Sequence, residues 1–465
     1  MTHLLDAHTD DWQSFEQATV ALKGYPQQTT SQHQALCDDF SAILAAGMQP
    51  RRHYHGIDHF RDIAQSPLSV DEMSAHCSNL QEALHTNQLM QHFTFITQIM
   101  TRAGWHHDII YTQVDEGIHP LIDAVLKPFY QREGEHYRLA MAESLQGEGK
   151  PLYEMVCTVF GFQYGQVLAA HNGQNEFLSA LYATLMGHAQ GLSMRTLLAE
   201  VTMIEATIPF RSPASVHGLR ERVMRANEAI TSGSLASETF ASEPLSQDEI
   251  EALLYGAIFM ANHDVIGFRK PFEQFNRGSH LLLMESAPTL QTPHGMYAAC
   301  TRIADFLSRV GKCESAGIAS VFHSYGGFPA TDTRDLWDRT AQINCEVQRE
   351  RMLSYAAVAA LVAAVASRCG YAQADEVSFD QLFSDASLEP PDHIFPRAMH
   401  ELRLMLTPAE RDALLGEGVL PPFFPHNPLT EKHLLDQVRP ELIHAVQERL
   451  ITMKDQSPTT STAIR

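Results

Sequence analysis

The chain has 465 residues, and its 33 basic and 55 acidic side chains give a net charge of −22 at neutral pH. This acidic balance offers no basic face for nucleic acid, so we expect no nucleic-acid partner. A hydrophobic content of 44% allows a sizeable core, and the length suggests about two or three domains. Seven irregularly spaced cysteines predict reduced thiols and a cytoplasmic location, and the N-terminus lacks the pattern of a secretion signal.

Helical periodicity recurs along the chain, whereas alternating strand patterns are scarce. We therefore predict an all-α fold class. N-caps are predicted at Ser246 and Thr430. The most apolar run, 352–366, is shorter than the roughly 18–20 residues that cross a bilayer, so we expect a buried helix and no membrane partner. The predicted helices cover 73–101, 174–187, 192–207, 247–263, 294–311, 335–368 and 430–453.

The first informative motif, RRHYHGIDHF at positions 51–60, places His55 and His59 four residues apart. On a helix, this spacing puts both imidazoles on one face, one turn apart. Because the chain has 25 histidines, chance pairs at this spacing are expected, and ordinary surface or core histidines remain an alternative to metal ligands.

The second motif, AGWHHDIIY at positions 103–111, carries the adjacent pair His107–Asp108 inside an apolar run that we predict to be a helix. Burying an imidazole and a carboxylate without partners is costly, and a bound divalent cation is one possible partner. A lone His-Asp pair is often incidental. The order of the two motifs, followed by further acidic residues in apolar helices, is what indicates a metal-centred hydrolytic site.

Together these motifs resemble the HD superfamily of metal-dependent phosphohydrolases. The string YHGIDH followed by GWHHDIIY is similar to the opening of one branch of that superfamily. The likeness continues through NGQNEFLSALYA (172–183) and MIEATIPF (203–210) and ends at ANHDVIGF (261–268). It covers about residues 45–270 and implies an HD-type helical bundle.

Two departures from the family pattern stand out. About sixty residues separate the HD pair from the segment that resembles the NExxSA helix, so 112–171 is predicted to be an insertion. The family often has a histidine shortly after its Ala-Thr pair, where this chain has Pro209 and Phe210. This difference weakens the case for a second metal ion and leaves the substrate class open.

The resemblance implies a role for each matching residue. His59, His107, Asp108 and Asp264 would bind one divalent ion, for which Mn, Fe, Co, Ni, Zn and Mg are candidates. His55 would act as general acid, and Asp108 and Glu176 complete the candidate catalytic set. Asp264 could instead be a helix-terminal or capping residue.

Nearby charged residues are open to two interpretations. Arg211, Arg269 and Lys270 follow their motifs and are candidates for binding substrate phosphate, although lone basic residues in loops are often only solvated. Glu205 either orients a metal-bound water or a ligand, or lies on the exposed polar face of an amphipathic helix. His263 is expected near the ligands or in solvent.

The resemblance therefore predicts a phosphohydrolase that acts on a small phosphorylated substrate such as a nucleotide or cyclic nucleotide. Two alternatives stay open: a catalytically silent regulatory or scaffold protein, and an HD-fold di-iron oxygenase that would recruit His119, His171 or His188. A helical accessory domain could dimerise, cover the site or bind a regulator. The predicted domains are an N-terminal segment 1–44, an HD-type domain 45–272, a helical accessory domain 273–454 and a disordered tail 455–465.

Overall fold

The computed structural model confirms the all-α class, because helices carry most of the described chain and strands form one small sheet. The N-terminal helices are α1 (Thr9–Lys23), α2 (Thr30–Gly47), α3 (Ile57–Ala64), α4 (Phe93–His106), α5 (Thr112–Asp115) and α6 (Pro120–Leu126). The structure describes residues 8–23, 28–66, 91–134, 136–168, 173–211, 214–232, 243–286, 290–312, 320–371, 376–382, 397–415 and 435–456.

The chain forms two compact units, which are Met1–Lys270 with Cys313–Ala341, and Pro271–Lys312 with Gln342–Arg465. The domain limits predicted from the sequence stay predictions. The remaining helices are α7 (Gly149–Phe160), α8 (Gln174–Ala189), α9 (Met194–Ala206), α10 (Ala214–Thr231), α11 (Gln247–Asp264), α12 (Phe272–Ser286), α13 (Pro293–Gly311), α14 (Thr331–Arg368), α15 (Phe379–Leu382), α16 (Arg397–Met405), α17 (Pro408–Leu415) and α18 (Pro440–Gln456).

The core of the first unit is built from helices α4, α8, α9 and α11. Helices α9 and α11 are buried on nearly every face, which fits their almost continuous apolar sequences. Ser246 caps helix α11 as predicted: its hydroxyl accepts from the Glu249 amide, and the Glu249 side chain accepts from the Ser246 amide. This capping box fixes where the helix begins, and the helix then carries Asp264 at its last residue.

The region predicted as an insertion contains an antiparallel sheet that helical periodicity did not predict. Strands β1 (Tyr130–Glu133), β2 (His136–Leu139) and β3 (Val167–Leu168) lie in the order β1-β2-β3, with Tyr130 opposite Leu139 and Tyr137 opposite Leu168. Strands of four, four and two residues are too short to give a clear alternating pattern.

Most predicted helices are present close to their expected limits, including 174–187, 192–207, 294–311 and 335–368. The apolar run 352–366 lies inside α14 with its alanines and valines buried. Within the described ranges, no helix combines the length and apolar character needed to cross a membrane. Most of 73–101, the Thr430 cap and the tail beyond residue 456 lie outside the described residues.

Candidate metal centre

Four predicted ligand side chains meet at one place in the first unit. One potential ligand atom from each of His59, His107, Asp108 and Asp264 lies within 4.8 Å of the other three. The Nε2 atoms of His59 and His107 are 3.2 Å apart, and Asp264 Oδ1 lies 3.1 Å from the first and 3.5 Å from the second. Asp108 Oδ2 lies 3.4 Å and 3.3 Å from the same two nitrogens. The cluster could therefore hold a metal ion.

The tautomer of His107 suits a ligand. Its Nδ1–H donates to the Gly104 carbonyl at 2.8 Å, so the neutral ring presents the lone pair of Nε2 to the cluster. Gly104 also permits helix α4 to approach helix α3, because a Cβ on it would lie only 2.6 Å from the Ala64 backbone. This close approach brings His59, on α3, next to His107.

The electrostatics of the cluster favour added positive charge. Burial alone would lower the pKa of His107, but the carboxylates of Asp108 and Asp264 outweigh it and raise that pKa well above its usual value. The same carboxylates overcome burial to raise the pKa of His59. Although burial favours a neutral acid, the two imidazoles lower the pKa of Asp264 to about 2. Two protons or one divalent cation would satisfy this arrangement.

His55 lies beside the cluster, although not in the way the four-residue spacing predicts. Helix α3 begins at Ile57 with Gly56 as its N-cap, so His55 precedes the helix and does not share a face with His59; that prediction is wrong. The His55 ring instead stacks on Tyr111 at 4.1 Å, and its centroid is 5.6 Å from that of His59. Gly56, between His55 and the helix, has an extended backbone conformation.

The HD pair lies at the end of a helix and not inside one, which corrects the sequence prediction. Helix α4 ends at His106, with His107 as its C-cap. The amide of Ile110 donates to Ser179 Oγ at 3.2 Å, and that of Thr112 donates to Asn175 Oδ1 at 3.2 Å. These side chains replace helical hydrogen bonds, so the motif QNEFLSA holds the turn that carries Asp108.

Glu176 lies on helix α8, close enough to the four-residue cluster for the charges of Asp108 and Asp264 to act on it. Burial raises the pKa of Glu176 to about 7, and the charge of Asp108 and Asp264 acts in the same direction. Arg211 opposes this rise. A carboxyl group that exchanges its proton near neutral pH is suited to acid–base chemistry.

The predicted phosphate-binding residues are placed differently from one another. Arg211 donates to Glu205 Oε1 at 2.6 Å, and Arg222 reaches the same carboxylate at 2.6 Å. Glu205 is buried, so the alternative that places it on an exposed helix face is wrong. Arg269 stacks on the Trp337 ring at 4.0 Å, and Lys270 is exposed. Their predicted contacts with substrate stay predictions.

The other histidines considered from the sequence lie elsewhere. His263 Nδ1 is 3.1 Å from Ser66 Oγ, and its pKa is lowered to about 4, chiefly by burial. His119 caps helix α6, and His188 pairs with Glu148 at 3.1 Å. His171 lies outside the described residues. Among the described residues, the four-residue cluster is the one group of acids, histidines and cysteines arranged to hold a metal ion.

No family model, no curated protein and no solved structure matches the chain. Membership of the HD superfamily therefore stays a prediction from the motifs, and function has to be argued from the geometry of the site.

Two residues next to the site were missed by sequence reasoning. Arg52, at the start of the first motif, forms a buried ion pair with Asp115, 63 residues later. His106, the neighbour of His107, lies in a separate buried polar network with Asp39 and Glu200. Adjacency to a motif is the signal that could have singled out Arg52 and His106, but it does not reveal a distant partner.

Proposed function

We propose that the protein is a metal-dependent phosphohydrolase that acts on a small phosphoester such as a nucleotide or cyclic nucleotide. The observation that carries the proposal is the convergence of His59, His107, Asp108 and Asp264, two imidazoles and two carboxylates whose ligand atoms lie within 4.8 Å of one another. Two nitrogen and two oxygen ligands suit a borderline or hard divalent ion. The Nδ1–H bond of His107 to a backbone carbonyl is the usual support of a metal-binding imidazole.

His59, His107, Asp108 and Asp264 would hold a divalent ion, which would polarise a phosphoryl oxygen and lower the pKa of bound water. In our proposal Glu176 accepts the proton of the attacking water, because positive charge at the cluster would favour the ionised form of its carboxyl group. His55 is the proton donor to the departing alkoxide, since its ring lies beside His59 and imidazole is a common general acid. Stacking on Tyr111 restricts the plane of the His55 ring.

The test combines metal analysis with an activity screen. Protein stripped with a chelator is reloaded separately with Mn²⁺, Fe²⁺, Co²⁺, Ni²⁺, Zn²⁺ or Mg²⁺, and bound ions are counted. Each form is then assayed with p-nitrophenyl phosphate, bis(p-nitrophenyl) phosphate, nucleotides and cyclic nucleotides. We expect about one ion per chain, as a single four-ligand site provides, and hydrolysis of at least one of these esters.

The matched variants are His107→Ala and His53→Ala. His107→Ala removes a buried ligand and should abolish both ion binding and hydrolysis, whereas His53 is exposed and its loss should change neither. Failure of the wild-type protein to take up any of the six ions contradicts the proposal. Ion uptake without hydrolysis of any ester favours the catalytically silent alternative.

A further inference from the structure

The turn that carries Asp108 has one backbone hydrogen bond, from the Ile109 amide to the His106 carbonyl at 3.1 Å, and side chains supply further partners on both sides of it. Ser179 and Asn175 accept from its amides, as described above. Its carbonyls are bound by a single guanidinium, because Arg52 donates to the Asp108 carbonyl at 2.8 Å and to the Ile109 carbonyl at 3.0 Å. The position of Asp108 is therefore tied to Arg52.

The same guanidinium reaches the other half of the site. Arg52 also donates to the carbonyl of His55 at 3.3 Å, and its Nε donates to Asp115 Oδ1 at 2.9 Å. The side chains of Arg52 and Asp115 are 0% and 3% exposed. One buried cation thus joins the segment before helix α3, which presents His55, to the segment after helix α4, which presents Asp108.

Helix α5 follows this turn, and the residue that caps its C-terminus has an unfavourable backbone conformation. Glu116, directly after Asp115, has φ 59°, in the left-handed region that residues other than glycine rarely adopt. Such a conformation persists where the surrounding structure imposes it. The bond from Arg52 to Asp115, the residue before Glu116, helps to hold the chain at this point, and the planar guanidinium has further donors for the three carbonyls.

We propose that Arg52 is a positioning residue of this site, which fixes the metal-binding carboxylate of Asp108 and the imidazole of His55 relative to each other. The inference rests on the proposed function for what those two groups do. Arg52 acts through the backbone and touches neither ion nor substrate. Asp115 neutralises its charge and holds it in place.

The adjacent residue provides a matched control. Arg51 donates to Glu116 at 2.6 Å and so links the same two segments, but its side chain is 32% exposed and that of Glu116 is 79% exposed. Exposed ion pairs of this kind contribute little. A general effect of losing an arginine from this motif would appear when either Arg51 or Arg52 is replaced. An effect of the buried bonds from Arg52 to the three carbonyls and Asp115 would appear only when Arg52 is replaced.

The experiment uses the full chain with four variants: Arg52→Met, Arg52→Lys, Asp115→Asn and Arg51→Met. Hydrogen–deuterium exchange on metal-free protein reports the order of residues 108–116 without requiring metal or activity. Titration with Mn²⁺ then reports ion affinity, and hydrolysis of bis(p-nitrophenyl) phosphate reports kcat and KM. Thermal unfolding checks that each variant is folded.

We expect Arg52→Met to speed exchange in 108–116 and to weaken Mn²⁺ binding by roughly 10–100-fold, the usual cost of removing a group that supports metal ligands. Its kcat should fall while KM stays close to that of the wild type. Arg52→Lys should not restore affinity, since an ammonium group cannot bind three carbonyls and Asp115 together. Arg51→Met should match the wild type in every measurement.

The outcomes separate the two proposals. If wild-type protein binds none of the six ions but Arg52→Met still speeds exchange in 108–116, the proposed function fails and the role of Arg52 in holding this segment stands. If the wild type binds Mn²⁺ and a folded Arg52→Met or Asp115→Asn variant keeps its affinity, exchange and kcat, the positioning role is overturned. Should Arg52→Met not fold, Arg52→Lys and Asp115→Asn decide by the same criteria.

Discussion

His106 and His107 are adjacent in the sequence, but they belong to two buried clusters of opposite character. His106 Nε2 lies 3.2 Å from Asp39, and its Nδ1 lies 3.0 Å from Glu200, so each nitrogen faces a different carboxylate. Arg102 lies 3.9 Å from Asp39 and 3.4 Å from Glu200. Two cations therefore face two anions once His106 is protonated, and His106 Nδ1 also lies 2.9 Å from the Arg102 carbonyl.

The cluster around His107 has the same types of acid and imidazole but a different balance. The imidazoles of His59 and His107 both lie within ion-pairing distance of Asp108 and Asp264. His107 Nδ1 is bonded to a backbone carbonyl, which leaves its Nε2 facing the carboxylates. The Nε2 of His59 faces the same carboxylates. In the His107 cluster, two imidazole nitrogens point at the same pair of carboxylates, an arrangement that a metal ion can bridge. In the His106 cluster, the two ring nitrogens point at different carboxylates that Arg102 also approaches, which is typical of a structural ion network.

Replacing His106 with alanine should give the largest effect on stability. Asp39 and Glu200 would remain buried with Arg102 as their remaining cation, and breaking a buried ion network typically costs about 3–5 kcal/mol. The urea unfolding midpoint of the metal-free protein measures this loss. His53→Ala, at an exposed position, should stay within about 0.5 kcal/mol of the wild type. A His106→Ala variant of normal stability that lost metal binding would reverse the roles assigned to the two clusters.

The pH dependence of stability tests the charge on His106. Burial lowers its pKa, but Asp39 and Glu200 outweigh burial and raise it to about 9. Because the folded-state pKa is raised, the stabilisation is fully present below about pH 6.5 and is lost as the pH rises through about 9, by roughly 3 kcal/mol at most. Unfolding of wild type and His106→Gln across this range isolates the contribution. Equal slopes for the two proteins would show that His106 is not charged in the fold.

The sequence predicts the ligands better than it predicts their setting. The resemblance to the HD motifs implies His59, His107, Asp108 and Asp264 as ligands, and the structure brings their ligand atoms together. Local signals also located helix α11, because the capping box at Ser246 lies within four residues. Where residue chemistry and local hydrogen bonds determine the outcome, the sequence is sufficient.

Long-range partners could not be predicted in the same way. The bond between Arg52 and Asp115 joins positions 63 residues apart, and nothing in either local pattern selects the other. Neither does WHHD show that His106 faces a different cluster from His107, since this depends on Asp39 and Glu200 on other helices. Tertiary packing decides both cases.

Replacing Glu176 with glutamine tests whether the His107 cluster, unlike the His106 cluster, takes part in catalysis. Glutamine keeps the shape of the side chain but cannot accept the proton, so we expect hydrolysis of bis(p-nitrophenyl) phosphate to fall by about 100-fold, at the low end for a general base. Metal stoichiometry should stay unchanged, because Glu176 lies outside the four-residue cluster. If Glu176→Gln instead loses the ion and keeps its activity when excess ion is supplied, Glu176 supports metal binding and is not the proton acceptor.

The pH dependence of ion affinity separates the two clusters most directly. The raised pKa values of His59 and His107 mean that the metal-free site holds protons near neutral pH, and an incoming cation must displace them. Affinity for Mn²⁺ should therefore increase as the pH rises from about 6 to about 8, by up to about tenfold per pH unit for each proton released. Titration calorimetry in buffers of different ionisation enthalpy measures both affinity and proton release. His106→Gln should keep this dependence, because His106 pairs with Asp39 and Glu200, which are not part of the four-residue cluster, and its proton is not displaced. Affinity that is independent of pH in the wild type, or a dependence that disappears in His106→Gln, would show that the two clusters titrate as one.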